Sequence, residues 1–118
     1  MSNEEINDFV NKIKKKSGVT VRVKGSKNNP TKPLSFNNSR SSHYPYLEVD
    51  HGKQTDLYEI EKSFKKSNLP DVIGKWILFS IHAKRRSGDF YLVVEKKSKA
   101  QYEKIIKDKK LDIQLITI

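Results

Sequence analysis

The run Trp76-Ile77-Leu78-Phe79-Ser80-Ile81-His82, the segment Lys84-Arg85-Arg86-Ser87-Gly88-Asp89 and the run Phe90-Tyr91-Leu92-Val93-Val94 together decide how this chain is read. Two apolar runs rich in aromatic and β-branched residues flank a segment with turn chemistry, and that pattern predicts a β-hairpin. Alternate residues of a strand face opposite sides. Ile77, Phe79, Ile81, Phe90, Leu92 and Val94 then form a dry face, while Trp76, His82, Tyr91 and Val93 lie on the opposite one. The cations Lys84, Arg85 and Arg86 sit at the hairpin tip.

Working outward, Tyr44 to Val49 is strand-like, with Pro45 marking an edge or a strand start. Thr55 is placed to cap a helix carrying Leu57, Ile60 and Phe64, which must end before Pro70. Ser98 with Gln101 reads as a capping box opening a helix with Tyr102, Ile105 and Ile106, and Leu111 to Ile118 reads as a last strand. At the N-terminus, Ser2 with Glu5 is another capping box, and Ile6, Phe9, Val10 and Ile13 repeat at helical spacing until Ser17-Gly18. Val19, Val21 and Val23 alternate as in a short strand. Residues 25–43 are Lys, Asn, Ser, Thr and Pro with few apolar side chains, and read as a polar flexible loop. The expectation is one α+β domain: an α-β extension over 1–24, the loop over 25–43, and a β-α-β-β-α-β core over 44–118.

The chain has 118 residues, the size of one domain with a single core. Its net charge of +10 and its charged fraction of 32% point to a polyanionic partner, nucleic acid in the first place. No apolar run approaches the ~20 residues that span a bilayer, so a membrane partner is not expected, and an intracellular (cytoplasmic or nuclear) place is. The absence of cysteine removes disulfides, thiolate metal sites and cysteine nucleophiles. His43, His51 and His82 do not fall at metal-ligand spacing and read as structural.

Thr55 to Phe64 as a first helix, Ser87 to Glu95 as a third strand and Ala100 to Ile106 as a second helix resemble the RNA-recognition motif, a ferredoxin-like fold. That resemblance implies recognition of RNA or single-stranded DNA on an open sheet face, with no cofactor. The residues allow the same use, because bases stack on exposed rings while Lys and Arg neutralise phosphates. The expected contact residues are Tyr46, Trp76, His82, Lys84, Arg85, Arg86, Tyr91, Lys96 and Lys97. The N-terminal helix also has a dry face that must cover something, and this sheet is one candidate.

Two other classes remain. Pro70-Asp71 followed by His82-Ala83-Lys84 resembles the PD-(D/E)xK nuclease pattern, with Glu95-Lys96-Lys97 as an alternative acid-x-lysine. A helix, a strand, a hairpin, a helix and a last strand are also the element order that goes with it. The resemblance implies paired acids on Mg²⁺ or Mn²⁺ and a lysine that helps activate water, with Asp71, Glu95 and Lys97 in those roles and Glu48 or Glu5 as extra ligands. The third class is a small viral or mobile-element protein-interaction module, in which the helix face and the tyrosines meet a protein partner or a second copy in a homodimer.

Overall fold

A computed structural model describes residues 1–36 and 41–118. Its five strands, β1 (Thr20–Val23), β2 (Leu47–Asp50), β3 (Thr55–Ile60), β4 (Phe90–Val94) and β5 (Gln114–Thr117), lie side by side in chain order. β1, β2 and β3 form an antiparallel meander, whereas β4 and β5 run parallel to β3. Parallel neighbours need a crossover, and the helices α2 (Leu69–Arg85) and α3 (Lys99–Asp108) supply the two required. The first helix, α1 (Asn3–Lys14), precedes the sheet in the chain.

The helices divide between the two faces. Ile6, Val10 and Ile13 of α1 pack with Leu47, Val49, Tyr58 and Val93. On the other face Trp76, Phe79 and Ala83 of α2 and Tyr102 of α3 pack with Leu57, Phe90, Leu92 and Val94. Each fully buried aliphatic or aromatic side chain in such a layer contributes roughly 1.5–3 kcal/mol, so both layers matter to stability.

The fold is mixed α and β as expected, but residues 44–118 run β-β-α-β-α-β in place of the ferredoxin-like β-α-β-β-α-β. Thr55–Ile60 is a strand where a helix was expected. It lies between β2 and β4 with both faces covered, so Leu57 and Tyr58 are buried on opposite sides and alternation is masked. Leu69–Arg85 is a helix where a strand was expected, because a short apolar run fits either period. Its inward residues Trp76, Phe79 and Ala83 follow the helical repeat, while Ile77 and Ile81 are exposed.

The expected hairpin turn is instead the end of α2. Ser87 adopts a left-handed conformation (φ 62°), and Gly88 donates its N–H to Ala83 O at 2.9 Å. A Cβ on Gly88 would stand 1.9 Å from the carbonyl oxygen of Thr55, so glycine is required by the close approach of β3.

The N-terminal capping box forms as read, with Ser2 Oγ accepting from the Glu5 N–H and the Glu5 carboxylate accepting from the Ser2 N–H. The box expected at Ser98 does not form: a 3-10 turn (Lys96–Ser98) leads into α3, and the serine makes no capping hydrogen bond. Nor are residues 1–24 an appendage, since β1 hydrogen-bonds to β2 and α1 fills one face. In the stretch read as a flexible loop, Leu34 exchanges two backbone hydrogen bonds of 2.8 Å with His43 and enters the α2-side core. Residues 37–40 of that stretch lie outside the described residues.

Candidate active site

The aromatic side chains expected on an open surface are buried or half-buried against the core. Trp76 is 0% exposed on α2, not on a strand. Tyr91 does lie on the expected sheet face, but α1 covers it: its ring stacks on Tyr58 at 4.7 Å, and Phe9 of α1 meets Tyr58 edge-on at 6.0 Å. Tyr46 packs into the same layer. Burial pushes the Tyr58 phenol up to about 12 and raises that of Tyr91. The expected stacking of bases on these rings is corrected: α1, whose apolar stripe had to be covered, packs over Tyr46 and Tyr91, and Trp76 is enclosed between α2 and the sheet on the other face.

The hairpin cations are likewise redistributed, because the hairpin is a helix end. Lys84 pairs with Asp89 at 2.8 Å and with Asp112 at 3.4 Å. Arg86 binds Glu48 at 2.7 Å, and Arg85 is exposed in the last turn of α2. His82 is half-buried on α2, 3.4 Å from Ser35 O. Lys96 and Lys97 are exposed in the 3-10 turn after β4.

Of the residues assigned to metal chemistry, Asp71 is exposed in the first turn of α2, where a carboxylate complements the helix dipole, and is not on a strand. Glu95 takes the N-terminal ammonium and Lys97, hydrogen bonds that hold its carboxyl below the ordinary value. Glu48 is held between Arg86 and Arg22, the latter at 3.2 Å, and Glu5 is engaged by its capping box.

A different cluster stands at the C-terminal end of β3. This strand is where the sheet changes pattern, with an antiparallel neighbour on one side and a parallel one on the other. Crevices at the carboxyl ends of parallel strands are the usual ligand sites of open α/β sheets. Glu59 points to the α2 side and is 5% exposed, and Glu61 follows two residues later. Lys75 of α2 reaches both: its Nζ is 2.9 Å from Glu59 Oε2 and 2.8 Å from Glu61 Oε1. The Trp76 indole N–H donates to Glu61 Oε1 at 3.4 Å.

Burial raises the Glu59 carboxyl above its ordinary value, with Lys75 pulling the other way. Burial also works against the Lys75 ammonium, but the two carboxylates outweigh it and its pKa is raised. A pocket of about 260 Å³ opens beside Glu61, lined also by Lys62, Ser63, Lys65 and Tyr102. A perturbed buried acid paired with a lysine near a cleft is an arrangement that acid–base and phosphoryl chemistry uses.

Reading Thr55 to Phe64 as a helix hid this cluster, because residues two apart on a helix do not face each other. The available signal was Glu59-Ile60-Glu61 itself, an acid-x-acid that converges only in extended backbone. No protein-family model, curated protein or solved structure matches this chain.

Proposed function

We propose that the protein acts on nucleic acid as a metal-dependent nuclease, through a phosphodiester-cleaving centre formed by Glu59, Glu61 and Lys75, residues that do not stand at the acid-x-lysine spacing of the PD-(D/E)xK pattern. The observation that carries this is the meeting of two carboxylates from one strand end on a single lysine ammonium, at 2.8 and 2.9 Å, at the point where the sheet changes pattern. The order α1, β1, the β2–β3 hairpin, α2 and β4 supports it, being the order of elements that goes with that pattern. A net charge of +10 supports a polyanionic substrate.

The pattern implies a divalent ion. Among the described residues no group of three or more His, Asp and Glu side chains converges on one point. Mg²⁺ is commonly held through one or two carboxylates, with water and phosphate oxygens completing its shell, and the convergence of Glu59 and Glu61 on one cationic atom fits that mode. When bound, such an ion acts as a Lewis acid and lowers the pKa of its water. The chain's own part is to fix the acids and supply charge: β3 and α2 hold Glu59 out of water, and Lys75, kept protonated by its two partners, offers a cation to phosphate oxygen.

The test is incubation of labelled single-stranded and duplex DNA and RNA with Mg²⁺, Mn²⁺ or chelator. Strand shortening only with metal, lost in Glu59→Gln, Glu61→Gln and Lys75→Ala variants of native circular dichroism, is the expected result. Intact strands under every condition, or full cleavage by the Glu59→Gln/Glu61→Gln double variant, would overturn the proposal.

A further inference from the structure

Beyond the acid–lysine cluster, a groove of about 760 Å³ runs between α2 and α3, within the ~300–1,000 Å³ range of ligand clefts. Its floor is apolar, made by Phe64, Leu69, Ile73 and Ile105, all half-buried. Its rim carries Lys66, Lys104 and Lys109, all exposed, and no carboxylate lines it. Among the described residues none of these lysines is in an ion pair, although the same chain pairs Lys75, Lys84, Lys97 and Lys99. Phe64 and Leu69 also line the pocket beside Glu61, so groove and pocket are neighbours.

We infer that this groove takes the substrate strand as unpaired nucleic acid, an inference that rests on the nuclease reading for what stands at its inner end. An apolar floor flanked by unpaired cations suits a ligand with flat apolar faces and regularly spaced negative charges. Single-stranded nucleic acid is such a ligand, since its bases are free to lie on Phe64, Leu69 and Ile105 while phosphates meet the lysines. A duplex keeps its base faces stacked inside and gives the floor nothing to bury. Phe64 is fixed for this role by its edge-on contact with Tyr102, ring centroids 5.4 Å apart. The neighbouring Glu61 pocket favours a strand over an acidic peptide or an anionic lipid, because it is the strand that has a phosphodiester to present there.

Fluorescence anisotropy tests this with a short labelled single-stranded oligonucleotide, its duplex, and phosphatidylserine vesicles as a third arm, in chelator so that nothing is cut. The single strand should bind at least about tenfold more tightly than the duplex, with affinity falling steeply with salt. Lys104→Glu/Lys109→Glu, on exposed positions, should lower that affinity about tenfold or more and flatten the salt dependence. Phe64→Leu should lower it about tenfold without changing the salt slope, since stacking is lost and charge is kept. Equal affinity of single strand and duplex, wild-type binding by the charge-reversed variant, or a groove-dependent response to vesicles alone would overturn the inference. The two proposals separate cleanly. Metal-dependent cleavage retained by groove variants that bind normally would remove the groove and leave the nuclease centre, whereas groove-dependent binding without cleavage by the wild type would do the reverse.

Discussion

The two ends of β3 both carry buried carboxylates, yet their partners differ. At the N-terminal end each carboxylate oxygen has its own partner. Asp56 Oδ2 meets His51 at 2.9 Å and Oδ1 accepts the Asp89 N–H at 2.8 Å, tying the β2–β3 turn to the start of β4. On the neighbouring β2, Glu48 gives one oxygen to Arg86 and the other to Arg22. At the C-terminal end Glu59 and Glu61 share one lysine, Glu59 accepting also from the Ile60 N–H at 3.3 Å, and a pocket opens beside Glu61. Asp56 and Glu48 thus join elements far apart in the chain, holding the fold together. Two acids sharing one cation beside a cleft are the feature on which the proposed chemistry rests.

The largest effect that would sharpen this contrast is on chemistry. Glu59→Gln or Lys75→Ala should lower metal-dependent cleavage by about 10²–10⁴-fold, whereas Asp56→Asn should leave cleavage by the folded protein near wild type. Gel-resolved strand shortening under single-turnover conditions reads both, and equal losses at the two ends would erase the distinction.

Stability should be lost most at the packing residue that adjoins the acid–lysine end. Trp76→Ala should cost about 3–5 kcal/mol in urea unfolding, since the indole is fully buried against Tyr102 and the sheet. At the opposite end, Gly88→Ala should cost about 3 kcal/mol, because its methyl group meets the backbone carbonyl of Thr55. Asp56→Ala should cost about 1–3 kcal/mol by leaving the Asp89 N–H without its acceptor.

The smallest and most specific effect is alkaline. The Tyr58 and Tyr102 phenols, ordinarily ionising at 10.0, are pushed up to about 12 by burial. Their contribution to stability is complete below pH 10 and is lost between about pH 10 and 12, where only the unfolded chain ionises. Ultraviolet titration of phenolate absorbance should show late-titrating tyrosines, and a Tyr58→Phe variant should lack one of them. Ionisation of all five tyrosines near pH 10 with the fold intact would contradict the covering of the sheet by α1.

Where local signals acted alone, the sequence was readable. The α1 helix with its capping box and the strand character of Thr20–Val23, Leu47–Asp50 and Phe90–Val94 follow from periodicity and caps. The middle of the chain was not readable in this way. Leu57, Ile60 and Phe64 happen to fall at helical spacing, and the run from Trp76 to His82 is apolar enough to pass as a strand. Exchanging those two elements moved Glu59, Glu61 and Lys75 out of view and put Trp76 and Tyr91 on a surface they do not occupy.

The amino-acid order by itself determined the charge of the molecule, its mixed α and β character and the ends of its first helix, because each depends on counting or on neighbours within a turn. Only the tertiary structure decided that β3 is a central strand, that α1 closes one face, and that a lysine from α2 joins two glutamates fourteen and sixteen residues before it. Those outcomes depend on which faces are covered from both sides and on groups distant in the chain, and no local period records either.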